Sequence, residues 1–221
     1  METESKVIKM SLPVYDPVEH AHRILDVVKR GASDATSDTV AHSWARCVNE
    51  HRLDPSKPVR PPVLDGVQLQ MRHTRLASLI DCARYEMTTL FQQLGDSESA
   101  VVLTDTDGVI LHMVTSPGFE REVQPLGLEV GAVWSEEEAG TNGMGTCAAA
   151  AMPIAVCLDD HFFSQYTSLT CSAVPIYNPA GCGSAPDGPR GTAGRSAGSR
   201  SCARSCRAAP AGAVAAPASG W

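Results

Sequence analysis

Aromatic side chains are scarce in this chain: only 5% of its 221 residues are Phe, Trp or Tyr, and charged residues reach only 19%. Long apolar runs are missing too. The longest stretch without charge or strong polarity, Cys147–Leu158, has 12 residues and is broken by Pro153, where a transmembrane helix needs about 20. A membrane span is therefore excluded on length. The opening METESKVIKM mixes both charges and has no apolar core of a signal peptide. These absences point to a cytoplasmic protein. There is also no CxxC pair among the eight cysteines, which argues against a structural zinc site; no metal and no cofactor is assigned. Reduced, mostly buried thiols are the expectation.

Positive charge is short in the body of the chain. Residues 1–179 carry 13 Lys and Arg against 24 Asp and Glu, whereas residues 180–221 carry 5 Arg, no Lys and the single acid Asp187. An acidic body repels phosphates, so direct DNA binding by the folded part is not expected. The apolar set, at 43%, supplies one modest core.

The first 95 or so residues carry helical period. Ile24, Val27 and Val28 fall at helical spacing before Gly31, and Ser37 or Asp38 can cap a second helix through Val40, Trp44, Cys47 and Val48. Three prolines between Lys57 and Pro62 make a stiff connector. A longer helix is predicted from about Val67 to Leu94. Its stripe Leu76, Ile80, Ala83, Met87, Leu90 and Leu94 is heptad-like. That stripe can lie on its own domain or form a dimer seam; the pattern leaves both open. After Gly95 the period changes. Two strand-like runs, 101–104 and 109–113, flank the turn Asp105-Thr106-Asp107-Gly108, and further strands are predicted at 154–158 and 172–177. The fold class is thus α+β, with helices followed by an antiparallel sheet. Residues 182–221, rich in Ala, Gly, Ser and Arg with Val214 the only large aliphatic, should be disordered.

Short pieces in register carry a resemblance: Ser43-Trp44-Ala45-Arg46-Cys47, His51-Arg52-Leu53-Asp54-Pro55, Leu103-Thr104-Asp105, Gly108-Val109-Ile110-Leu111, Trp134-Ser135-Glu136-Glu137, Gly140-Thr141-Asn142-Gly143-Met144-Gly145-Thr146, His161-Phe162 and Leu169-Thr170-Cys171-Ser172-Ala173. Together they resemble the N-terminal sensor (GAF) region of acetoin catabolism regulators, which are sigma-54-dependent, Fis-class activators. The resemblance implies a helical N-terminal segment (1–62), a GAF-like sensor domain (63–181) with its leading helix at 67–94, and a sheet left incomplete where the tail begins. That tail could be translated out of frame. It also implies a sensor for a small-molecule effector, such as acetoin or a related carbonyl compound, and a possible homodimer. The family's ATPase is not carried over, because no GxxxxGK[ST] phosphate loop occurs in the chain.

Trp134, Thr141, Asn142, His161 and Cys171 are the candidate effector-site residues. The glycine-rich Gly140–Thr146 segment can offer backbone N–H groups to a polar ligand, or simply meet the backbone needs of a tight loop. Trp134 can wall a pocket or anchor the core. His161 follows Asp159-Asp160, carboxylates that could raise its pKa. Of Glu136, Glu137 and Glu138, most should be solvated surface. No catalytic residue is assigned. The alternatives are a stand-alone binding module acting through a partner, or a thiol reductase using Cys147, Cys157 or Cys171.

Overall fold

The computed structural model describes residues 16–31, 36–95, 98–177 and the backbone of 209–217. Two N-terminal helices come first, α1 (Pro17–Arg30) and α2 (Asp38–Asn49), each started by a side chain that caps a free N–H: Asp16 accepts from Val18 and Ser37 from Val40. The long helix foreseen from Val67 to Leu94 is two consecutive helices, α3 (Gly66–Arg75) and α4 (Ala77–Gln93). They meet at Leu76, through which the i→i−4 hydrogen bonds still run. Asp65 and Gln68 close a reciprocal capping box at the start of α3.

Strands β1 (Ala100–Thr104) and β2 (Ile110–Thr115) form the foreseen hairpin. Its turn is held by Asp105, whose Oδ1 accepts from the N–H groups of Asp107 and Val109, while Gly108 takes φ +81°. Short helices α5 (Pro117–Val123), α6 (Glu136–Ala139) and α7 (Gly143–Ala150) follow, then β3 (Ile154–Cys157), β4 (Leu169–Ile176) and β5 (Ala209–Pro217). The sheet is antiparallel throughout, in the order β2-β1-β5-β4-β3.

The expectation of an unstructured tail is corrected for Ala209–Pro217, which forms the middle strand; the other tail residues, 182–208 and 218–221, lie outside the described residues. The composition argument weighed side chains and found almost none worth burying. A strand between two open edges is held differently, by a backbone ladder on both sides. Pro210 fits this position because the irregularity at Pro175/Ile176 leaves it without a paired partner on β4.

Alternation along β1 and β4 divides the side chains between two faces. Ala100, Val102, Leu169, Cys171 and Ala173 join one core, with Ile24 and Val27 of α1, Val40 and Trp44 of α2, Phe119 of α5 and Met144 of α7. Helices α1 and α2 therefore roof the sheet itself, and the boundary placed after residue 62 is not a boundary of packing. On the other face, Val101, Leu103 and Leu111 pack beneath Ile80 and Met87 of α4. The heptad stripe lies there: Ile80 and Met87 are buried, Leu76, Ala83 and Leu94 are packed alongside, and Leu90 stays exposed. The seam reading of this stripe gives way to its own sheet, which removes apolar surface from water without needing a second chain. No helix among the described residues is long and apolar enough to cross a membrane.

Candidate functional site

Helix α7 begins where the glycine-rich segment ends, and Asn142 organises the junction. Its Oδ1 accepts from Gly145 N–H at 2.9 Å, while Nδ2 donates to the carbonyls of Trp134 (3.1 Å) and Gly140 (2.8 Å). The glycines are needed for close approach. A Cβ on Gly145 would sit 2.5 Å from the Trp134 carbonyl oxygen and 2.7 Å from the Glu136 nitrogen, and one on Gly143 would meet the Cys171 Cβ at 2.6 Å. The loop thus follows the backbone-demand reading, with its polar groups turned inward.

Under α2 lies a buried polar cluster. Glu136, only 4% exposed, accepts from Ser43 Oγ at 2.5 Å and from Arg46 through Nη2 and Nε, both at 2.8 Å. The Ser43 hydroxyl also meets Thr141 Oγ1 at 2.7 Å and Thr146 Oγ1 at 3.2 Å. The two-pronged arginine–carboxylate pair fastens α2 to α6, and the Ser43 hydroxyl ties α2 to the start of α7. The expectation that most of the acidic triplet is solvated holds: Glu137 and Glu138 are exposed, and Glu136 is the one turned inward. The first turn of α6 points Glu136 inward, where Arg46 offsets the cost of burying its charge.

All five candidate effector-site residues are buried, and contacts link them into one neighbourhood. Trp134 donates its indole N–H to the Gly127 carbonyl at 2.9 Å, and its ring lies 4.9 Å from that of Tyr166. Thr141 accepts at its carbonyl from Phe162 N–H at 3.1 Å. Cys171 abuts Gly143. His161 turns Nδ1 to the Leu158 carbonyl at 3.0 Å, and its own carbonyl lies 3.0 Å from His20 Nε2. Their polar groups serve the interior in this state, except His161 Nε2, which is buried without a hydrogen-bond partner among the described residues. The idea that Asp159 and Asp160 raise the His161 pKa is overturned. Their carboxylates turn to Arg23 and Thr36, and full burial pulls the imidazole down to about 4.

The thiols are quiet as well. Burial pushes Cys47 and Cys171 up to about 12 and Cys147 up to about 11, and raises Cys157. Thiols held protonated make poor nucleophiles.

A separate cavity of about 720 Å³ opens on the opposite face of the sheet, between α4 and β3–β4. Leu79, Ala83 and Leu90 form one wall; Ile154, Ala155 and Val174 form the other. Sequence reasoning missed both this trough and the Ser43–Arg46–Glu136 cluster. The cluster had a signal: the segments 43–47 and 134–137 were both among the matched pieces, but nothing in one dimension tied them together. The trough had none, because its second wall depends on where β4 falls beside β5.

The class defined by these features is an α+β, GAF-like domain: a five-stranded antiparallel sheet between two helical layers, with a buried polar cluster beneath α2. In its fold the chain is similar to that of the Escherichia coli DhaR(N)–DhaL complex structure, with a TM-score of 0.66 at 18% identity, over 82% of this chain and 53% of that one. Residues 19–183 match the MimR N-terminal domain, and the chain belongs to that family. It is 31% identical over 170 residues to the acetoin catabolism regulatory protein of Cupriavidus necator, covering 74% of this chain and 25% of the relative. It is 30% identical over 147 residues to the propane 2-monooxygenase operon transcriptional activator MimR of Mycolicibacterium smegmatis, covering 66% and 24%. The chain thus spans about a quarter of the length of these curated relatives, and the matched region includes α1 and α2, in keeping with their shared core.

Proposed function

We propose that this chain is the signal-sensing module of a cytoplasmic transcriptional activator of the acetoin-regulator, sigma-54-dependent type, and that it performs no catalysis itself. The observation that carries this reading is the family match over residues 19–183, among relatives that are transcriptional regulators. The raised thiol pKa values support a binding role over the reductase alternative. The effector is a small uncharged carbonyl compound, acetoin or a relative of it, and its seat is the trough between α4 and β3–β4. That cavity has the volume and the apolar lining of a small-molecule site. Trp134, Thr141, Asn142, His161 and Cys171 act from the interior, holding α7 and α1–α2 in the state that the effector favours or disfavours. Such coupling needs only that the effector bind two arrangements with different affinity.

Two measurements test this. Thermal unfolding of the full chain with acetoin should move upward with concentration, by about 1.4 kcal/mol of stability at ten times Kd, and Val174→Trp should abolish the shift by filling the trough. A shift untouched by Val174→Trp removes the trough as the seat, and no shift at millimolar acetoin removes this effector. Replacing the sensor region of the Cupriavidus necator regulator with this chain should leave a reporter gene effector-responsive. A reporter deaf to every catabolite that the native regulator answers would overturn the sensing role.

A further inference from the structure

We infer that Glu86 sets the specificity of the trough: it accepts a hydrogen bond from a hydroxyl of the effector and repels carboxylate analogues, so the ligand class is a neutral hydroxyketone. The inference rests on the trough being the effector's seat and adds the chemistry which that seat selects. Among the described residues, Glu86 is the one charged side chain in the trough's lining. It stands on α4 between Cys82 and Leu90, one turn away on either side. That ridge is exposed, whereas Ala83 and Met87 lie deeper on the next one. The facing wall presents Ser172 and Val174, exposed on one side of β4. The Ser172 hydroxyl supplies the other side-chain oxygen of the lining. Glu86 forms no ion pair among the described residues. Its helical neighbours Asp81 and Arg84 line a different hollow, beside His73.

An apolar trough ranks small molecules by the apolar area they bury and is indifferent to their functional groups. The carboxylate adds the discrimination. A ligand hydroxyl donates to it, whereas a ketone oxygen has no proton to give. A ligand carboxylate meets repulsion instead. For two unit charges about 4 Å apart, that repulsion lies between about 1 kcal/mol in bulk water and about 4 kcal/mol near a protein surface, so a factor of about ten is a conservative penalty. On the opposite wall, the Ser172 hydroxyl is a donor for a ketone oxygen. One acceptor and one donor in an otherwise apolar trough match a molecule with one hydroxyl, one ketone and a hydrocarbon remainder. The acid of the same size does not match.

The test is thermal unfolding of the full chain, titrated with three probes of similar size. These are acetoin, butanone, which lacks the hydroxyl, and lactate, which carries a carboxylate where acetoin has its acetyl group. Acetoin should bind best, butanone about fivefold more weakly and lactate least, with added salt helping lactate alone. Glu86→Gln should move the preference toward lactate about tenfold, and Glu86→Leu should leave acetoin no better than butanone. Because Glu86 is exposed, the free chain should melt almost unchanged in both variants. Equal binding of acetoin and lactate by the unaltered chain overturns the charge filter. An acetoin shift that Val174→Trp abolishes, with the lactate preference unmoved in Glu86→Gln, overturns the role of Glu86 and spares the trough. An acetoin shift that survives Val174→Trp, or no acetoin shift at all, removes the seat and this inference with it.

Discussion

Removing the Arg46 side chain strands a carboxylate. In Arg46→Ala, Glu136 loses two hydrogen bonds of 2.8 Å from the guanidinium and keeps only the Ser43 hydroxyl. The carboxylate is 3% exposed, so water cannot readily replace them. Breaking one side of a buried pair typically costs about 3–5 kcal/mol. Arg46 itself is 28% exposed, which leaves part of its charge already solvated, so the lower end applies: about 3 kcal/mol. Against a typical domain stability of about 5–15 kcal/mol, that is a large fraction. Urea unfolding followed by tryptophan fluorescence is a suitable assay, since Trp44 and Trp134 are both fully buried. With a slope of about 1–3 kcal/mol/M, the midpoint should fall by about 1–3 M. The companion variant, Arg46→Met with Glu136→Met, removes both charges and should recover most of the loss. The Ser43 hydroxyl still has Thr141 and Thr146 within reach. If Arg46→Ala costs under about 1 kcal/mol, or the double variant is no better than the single, then stranded charge is not what the pair prevents.

Three further outcomes follow from the same geometry. Gly145→Ala should destabilise by several kcal/mol, because the new Cβ meets fixed backbone of residues 134–136 rather than a movable side chain; a soluble variant with an unshifted melting point would contradict this. Asn142→Ala removes a helix cap and two buried donor contacts and should cost about 2–3 kcal/mol in urea unfolding, whereas loss of an exposed cap would cost about 1. Because the folded state holds His161 neutral down to about 4, below its ordinary 6.5, acid favours the unfolded chain. Stability should be flat between about pH 6.5 and 8 and, for this group, fall by up to about 1.4 kcal/mol per unit from 6.5 down to about 4. His20, lowered by its own burial, adds to that slope, so His161→Gln should reduce it and leave the His20 share.

Much of this architecture was legible one element at a time. The caps at Ser37 and the turn at Asp105–Gly108 act within a few residues of themselves, so α2 and the β1–β2 hairpin appear where local chemistry puts them. The stripe on α4 was readable as apolar period, yet period does not say what covers it. The answer depended on β1 and β2 arriving underneath. Of the candidate site residues, Trp134 and Asn142 are joined by a hydrogen bond, a contact that their spacing of eight does not announce. Their burial was not visible, because it comes from α1 and α2 packing on from a hundred residues away. Which of the three successive glutamates turns inward was hidden for the same reason: only the arrival of Arg46 opposite Glu136 decides it. Strand β5 was missed because its support is backbone pairing, which leaves little mark on composition.

That strand gives the fold an order of events. Without it, β1–β2 and β3–β4 are two separate hairpins, each offering an open edge to the other across a gap one strand wide. The middle strand is also the last of the described strands, and the paired residues Val101 and Val214 lie 113 positions apart. Closing such a long loop is slow. Until it closes, both hairpins present unpaired N–H and C=O groups to any extended chain nearby. The sheet behaves as a zip whose slider arrives after both rows of teeth, so the conditions that delay residues 209–217 decide between a folded sensor and an aggregate.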